Sequence, residues 1–174
     1  VVLKNNVLVV SDEIHCDLVL PGYKHIPFAT LGHQYAMNSI TFHAASKTFN
    51  LAGLATSTAI IPNEYLRKTY VAYVEDMEVH LGNIFGKVAT QTAMNQGDEW
   101  LAQLLDYVQG NIDYVSDFLT ANLPKVKFHK PQATYMMWLD FNDYGISEEE
   151  LWHKMTQEAQ LGFNRGKDFG EADD

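Results

Sequence analysis

Apolar and polar positions along the chain predict strands first and helices after them. Val7-Leu8-Val9-Val10 is a short continuous apolar run, the pattern of a strand buried on both faces of a parallel sheet. The polar cluster Ser11-Asp-Glu-Ile-His-Cys-Asp17 follows at its carboxyl end. In open α/β sheets, ligands bind in the crevice outside the carboxyl ends of the strands. Pro21-Gly22 marks a turn, and the segment to Asn38 reads as an irregular loop. Ser39 to Phe42 predicts a second strand leading to Lys47. Thr56 to Ile61 predicts a third, closed by Pro62.

Helical spacing takes over from there. Asn63 is placed to cap a helix from Glu64 into the Val71–Tyr73 region, and a second helix is expected over Ile84 to Met94, ended by Gly97. Asp98 is placed to cap the clearest helix in the sequence. In it Leu101, Leu104, Leu105, Val108, Ile112, Val115 and Leu119 recur at three- and four-residue spacing as one apolar stripe. This helix is long enough to bridge two domains, and Pro124 stops it. Val126 to His129 and Thr134 to Asp140 then read as strands. Ser147-Glu-Glu-Glu150 opens a helix carrying Leu151, Met155 and Ala159, and Leu161 to Phe163 is a further candidate strand. Strands without intervening helices predict a small α+β domain after an α/β one, with the boundary inside the long helix. No repeat or low-complexity tract interrupts this plan.

Composition narrows the picture. The 174 residues are 47% hydrophobic and 20% charged, ordinary for a globular chain. A formal charge of −10 and a pI near 5.0 argue against nucleic acid as a partner. No apolar run approaches the roughly 20 residues of a membrane span, and no signal peptide is evident. The single cysteine, Cys16, excludes an internal disulfide and predicts a reducing, cytoplasmic setting. The chain starts in Val1-Val2-Leu3, already hydrophobic, and stops at Glu171-Ala-Asp-Asp174 after a glycine turn. Both ends predict a segment of a longer chain.

The stretch richest in chemistry runs from Ser39 to Gly53. A small-residue turn presents Lys47, and Phe49, Leu51 and Leu54 are expected to wall it in. Desolvation lowers a lysine's pKa, and a neutral amine is what carbonyl chemistry needs. A surface lysine is the plainer alternative. Asp12 and His15 sit three apart where a strand gives way to a turn. If the chain curls there, the carboxylate faces a cationic ring nitrogen and His15 an adjacent oxygen. The plainer alternative is a solvated strand end. Glu13, His15, Asp17, His25 and His33 lack the paired spacing of a zinc site. Cys16 beside His15 is not a convincing nucleophile pair, and Ser46–Lys47 is a poor hydrolase pair because sequence neighbours rarely align for proton transfer. The aromatics, among them Tyr65, Tyr70, Tyr73, Trp100, Trp138 and Trp152, read as core or interface. Glu148 to Glu150 read as a helix start favoured by the dipole.

Taken together, Ser11-Asp-Glu-Ile-His-Cys-Asp-Leu18, Lys24-His-Ile-Pro-Phe28 and Ser46-Lys-Thr-Phe-Asn-Leu-Ala-Gly53 resemble the class I/II aminotransferase superfamily of pyridoxal 5'-phosphate (PLP) enzymes, in its cystathionine β-lyase or C–S lyase branch. Pro131 to Phe141 and Asn164 to Gly170 extend the resemblance over nearly the whole chain. It implies a fold type I α/β domain with a mostly parallel sheet, here residues 1–105, and an incomplete small α+β domain, residues 106–174. It also implies that Lys47 forms the internal aldimine with PLP, that Asp12 pairs with the pyridinium nitrogen, that His15 lies near the ring hydroxyl and that Ser46 approaches the phosphate. The implied activity is α,β-elimination of S-substituted cysteines to pyruvate, ammonia and a thiol. Transamination of an amino acid is the alternative, and a non-catalytic binding domain a more distant one. The implied assembly is a cytoplasmic homodimer with an amino-acid substrate.

Two positions depart from the pattern. Many relatives carry a phosphate-binding serine where Ala44 stands, and typical aminotransferases an arginine where Ala55 stands. The lyase branch also tends to lack that arginine, so Ala55 tilts the reading toward elimination. By the same resemblance, the glycine turn for the phosphate, the ring stacked on the cofactor and a partner-subunit tyrosine precede this stretch, and the arginine for the substrate carboxylate follows it. The 174 residues alone are therefore expected to be inactive.

Overall fold

A computed structural model describes residues 1–79 and 82–170; the terminal Glu171 to Asp174 noted above lies outside them. The chain forms two compact units: residues 1–115 with 130–136, and residues 116–129 with 137–170.

The first unit is built on a three-stranded sheet, β1 (Val9–Asp12), β2 (Ser39–His43) and β3 (Thr58–Ile60), in the order β1-β2-β3. β1 and β2 run parallel, pairing Val9 with Ser39 and Asp12 with Phe42. β3 runs antiparallel to β2, so among the described residues the sheet holds one parallel and one antiparallel pair. The first strand differs from its expectation. Val7 and Leu8 precede it, and Val10 is 62% exposed. Among the described residues β1 is paired on one side only. An apolar run predicts burial on both faces only when neighbours exist to provide it. The ladder continues one residue past β1, where Glu13 N donates to Phe42 O at 2.9 Å.

The three long helices follow the predicted order, while two single helical turns stand where a loop and a turn were expected. α1 (His33–Ala36) is a single turn before β2, and α2 (Ala45–Thr48) a single turn after it. Asn63 caps α3 (Glu64–Asp76), its side-chain oxygen accepting from Tyr65 N and Leu66 N at 3.0 and 3.2 Å. Tyr70 of α3 meets Phe42 of the sheet edge-on, with ring centroids 6.2 Å apart. Asn83 caps α4 (Ile84–Gln96) in the same way. Gly86 is buried where α4 crosses the segment after Lys47; a Cβ there would collide with the Thr56 side chain and lie 2.7 Å from the Leu54 carbonyl. Gly97, not Asp98, stands at the junction with α5 (Asp98–Asn122). Its N–H donates to Ala93 O and its carbonyl accepts from Leu101 N. Along α5 the predicted stripe is real: Val108, Ile112 and Leu119 are buried.

In the second unit, β4 (Lys127–Phe128) pairs antiparallel with β5 (Leu139–Asp140). The strand expected over Thr134 to Asp140 shrinks to its last two residues. Its start is diverted within the first unit, where Leu20 N donates to Gln132 O and Thr134 N to Leu18 O, and Thr134 takes a φ of 66°. Ser147 Oγ accepts from Glu150 N at 3.1 Å to open α6 (Glu148–His153), which widens into a π turn over Lys154–Glu158. Leu161 to Phe163 form no strand. Leu161 N donates to Met155 O instead. Glu148 has a second use beside the helix start: its carboxylate accepts from Arg165 Nε at 2.9 Å, and the guanidinium lies 5.1 Å from the centre of the Trp152 ring.

Candidate functional site

Parallel pairing of β1 and β2 brings their carboxyl ends side by side, and the polar stretches singled out in the sequence follow those ends. Asp12 is the last residue of β1 and Lys47 lies on α2, straight after β2. The Asp12 carboxylate is exposed and accepts one long hydrogen bond, from Ile14 N at 3.4 Å. After it the chain curls through successive turns, Cys16 N donating to Glu13 O and Leu18 N to His15 O at 3.0 Å each. This is the curl on which a shared face for Asp12 and His15 depends. His15 is half-buried.

Lys47 is not walled in. On α2 the inward positions are Ala45 and Thr48, both fully buried, which are three apart and so share a face; Lys47 points to the exposed side. Phe49, expected to cover it, stacks instead on Trp100 with ring centroids 5.6 Å apart. The apolar wall expected from Phe49 does not form around the amine. Lys47 and Ser46 line an open cavity of about 410 Å³, together with Asn50, Ala52, Trp100, Leu104 and Tyr135. Trp100 reads in the sequence as core or interface, and Tyr135 only as part of a strand. Nothing local marks them as cavity walls, since they reach Lys47 only through the tertiary fold.

Two polar clusters belong to the same unit, one around the buried Glu13 and one around the half-buried Asp17. Glu13, 8% exposed, accepts from Ser11 Oγ at 2.8 Å, His25 Nε2 at 2.9 Å and Phe28 N at 2.9 Å. Burial alone would raise its carboxyl pKa, but the bonds from His25, Phe28 and Ser11 outweigh it and hold the pKa below the ordinary value. In the second cluster one oxygen of Asp17 accepts from His43 Nε2 at 3.2 Å and Thr48 Oγ1 at 3.1 Å, while the other accepts from Cys16 Sγ at 3.7 Å. Burial, reinforced by the charge and hydrogen bond of Asp17, pushes the Cys16 thiol up to about 11, which suits packing and not nucleophilic attack. The ligand atoms of Cys16, Asp17 and His43 lie within 4.8 Å of one another. Hydrogen bonding accounts for that spacing. Of the five residues weighed as metal ligands, the structure joins Glu13 to His25 and gives Asp17 other partners.

The departures from the family pattern also have clear places. Ala44 is buried in extended conformation at the start of α2. Ala55 is exposed, at a left-handed φ of 44°. No helix among the described residues is long and apolar enough to cross a membrane.

Known proteins resemble this chain in sequence and in fold. The profile of the family "Aminotransferase class I and II" matches residues 1–172. Cystathionine beta-lyase PatB of Bacillus subtilis (strain 168) is 42% identical over 168 residues, which is 97% of this chain and 43% of PatB. Among solved structures, a PLP-bound candidate aminotransferase of Clostridium difficile 630 superposes with a TM-score of 0.94 at 39% identity, over 97% of this chain and 44% of that one. Cystalysin of Treponema denticola, which contains PLP, gives a TM-score of 0.90 at 33% identity, over 97% and 43%. The chain thus spans less than half the length of each of these relatives.

Proposed function

Because the chain belongs to the family of class I and II aminotransferases, we propose that the protein is a PLP-dependent carbon–sulfur β-lyase acting on cystathionine or another S-substituted cysteine. The observation that carries the reading is the placement of Asp12 and Lys47 at the carboxyl ends of neighbouring parallel strands, in a sequence 42% identical to a cystathionine β-lyase.

The residues present fit the cofactor. Lys47 offers an exposed amine on the wall of a cavity of about 410 Å³, and Asp12 an exposed carboxylate with acceptor capacity to spare. Lys47 would hold PLP covalently through Nζ, and Asp12 would hold its ring nitrogen in the protonated state. His15 is assigned to the ring hydroxyl and Ser46 to the phosphate. When bound, the cofactor supplies an electron sink for negative charge at the substrate Cα. The chain's own work is to orient and to move a proton. Once the substrate amine has displaced it, the freed Lys47 Nζ would take the Cα proton, while the negative charge of Asp12 would keep the ring nitrogen protonated. Loss of the Cβ–S bond would then release the thiol, and hydrolysis of the remaining three-carbon fragment by water would give pyruvate and ammonia. Ala44 and Ala55 leave phosphate binding to groups other than a serine or arginine at those positions, and Ala55 favours the lyase over the transaminase. We assign the enzyme to the cytoplasm on its lone cysteine and to a homodimer on the family resemblance.

The candidate aminotransferase from Clostridium difficile supports transamination as the second reading. Both chemistries share the loss of the Cα proton, so the test must look after it. The whole protein, loaded with PLP and given cystathionine, is expected to form pyruvate with no keto acid added, and a Lys47→Ala variant is expected to form none. Strict dependence on a keto-acid acceptor would replace the lyase with the aminotransferase. Full function in Lys47→Ala would leave the domain a non-catalytic role.

A further inference from the structure

Asp12 and Lys47 must be held at one separation if they are to grip opposite ends of one rigid ring, yet among the described residues no hydrogen bond or ion pair joins their side chains. Each is exposed; the Asp12 carboxylate has a single long bond, to Ile14 N in its own turn, and Lys47 is placed by its backbone. The backbone of Lys47 has little support of its own. α2 is four residues long, far below the length at which a helix is stable by itself. Something beyond the helix has to set its pose.

We propose that Asp17 is a positioning residue that locks α2 to the exit of β1 and so fixes Lys47 relative to Asp12. A single carboxylate oxygen joins three segments: it belongs to the turn five residues after Asp12, and it accepts from His43 at the end of β2 and from Thr48, the immediate neighbour of Lys47. The sequence separations are 26 and 31 residues, so both bonds are tertiary. Thr48 is fully buried, and its hydroxyl has no route to water that would replace the bond. The third donor, Cys16 Sγ, orients the carboxylate from its other oxygen. The β1–β2 ladder aligns the two strands along their length, and Asp17 transmits that alignment to the one turn that carries the amine.

This inference rests on the PLP-lyase reading, and its test separates the two. The whole protein is measured as wild type, Thr48→Val and Thr48→Ser, with PLP as the probe. Readouts are the dissociation constant for PLP, the visible absorbance band of the Lys47-bound cofactor, kcat and KM for cystathionine, and the melting temperature. Thr48→Val keeps shape and removes only the donor. PLP affinity is expected to fall about tenfold, the scale of one hydrogen bond to a charged acceptor. The visible band is expected to shift and kcat to fall more than KM changes, while Thr48→Ser stays near wild type. A folded Thr48→Val with wild-type PLP affinity and band overturns the assignment while leaving the lyase intact. A wild type with neither visible band nor pyruvate overturns the lyase reading first. If Thr48→Val does not fold, Asp17→Asn takes its place with the same expectation. Unfolding of both variants would make the cluster a prop of the fold, and that too overturns a positioning role.

Discussion

Replacing Glu13 tests how the loop behind Asp12 is held. The side chain is 8% exposed and takes donors from Ser11, His25 and the Phe28 backbone, the last two 12 and 15 residues away. In Glu13→Ala the losses differ by donor. The Phe28 N–H is left part-buried without its acceptor, at about 1–3 kcal/mol. The Ser11 hydroxyl and the His25 ring, whose side chain is 34% exposed, can turn toward water and cost little beyond the bond itself. The expected sum is about 2–4 kcal/mol, a large fraction of a typical folding free energy. Glu13→Gln keeps an acceptor for Phe28 and Ser11 but puts an amide donor against His25, losing that bond and the charge assistance, about 1–2 kcal/mol. The assay is urea denaturation followed by tryptophan fluorescence and circular dichroism at pH 7, with both variants and wild type. The pH dependence supplies a second arm. Glu13 has a folded pKa depressed below its ordinary 4.5, so its contribution is complete above that value. It is lost as pH falls through the lower folded value. The gap between wild type and Glu13→Gln should therefore be constant from pH 7 to about 5 and close only in more acid solution. A Glu13→Ala midpoint equal to wild type, or a gap unchanged at pH 3, would refute the reasoning.

Two further outcomes follow from packing and ionisation. Gly86→Ala places a methyl against Thr56 and the Leu54 carbonyl, and should lower stability by about 1–3 kcal/mol, read as a fall in melting temperature, although alanine is the better helix former. An unchanged or raised melting temperature would show that α4 is free to move from the segment after Lys47. Cys16, with its thiol pushed up to about 11, should alkylate with iodoacetamide at pH 8 far more slowly than a free thiol, and its rate should still be climbing at pH 10. A rate that levels off near pH 8 to 9 would contradict the Asp17 contact.

Features governed by neighbours in sequence were legible from the sequence alone. Asn63 stands just before a helical pattern, and its side chain caps α3 because that needs only the two N–H groups that follow it. The α5 stripe was legible for the same reason: Val108, Ile112 and Leu119 recur at the helical period, so one face had to be buried. The motifs around Asp12 and Lys47 carried the resemblance to the family whose profile matches residues 1–172. Tertiary structure alone decided how those residues are presented. Lys47 looked enclosed in a sequence of small and apolar neighbours, but one turn of helix sends Ala45 and Thr48 inward and the lysine outward. Val10 looked like core, and its place on a strand that is paired on one side only among the described residues exposes it. The strand read from Thr134 was lost to pairing with residues 18–20. Asp17, read at most as one of five weak metal ligands, became the acceptor for His43 and Thr48. Local rules fix what a residue can do with the backbone beside it, whereas a side chain's distant partners are set only when the strands pair and bring separated segments within hydrogen-bond reach.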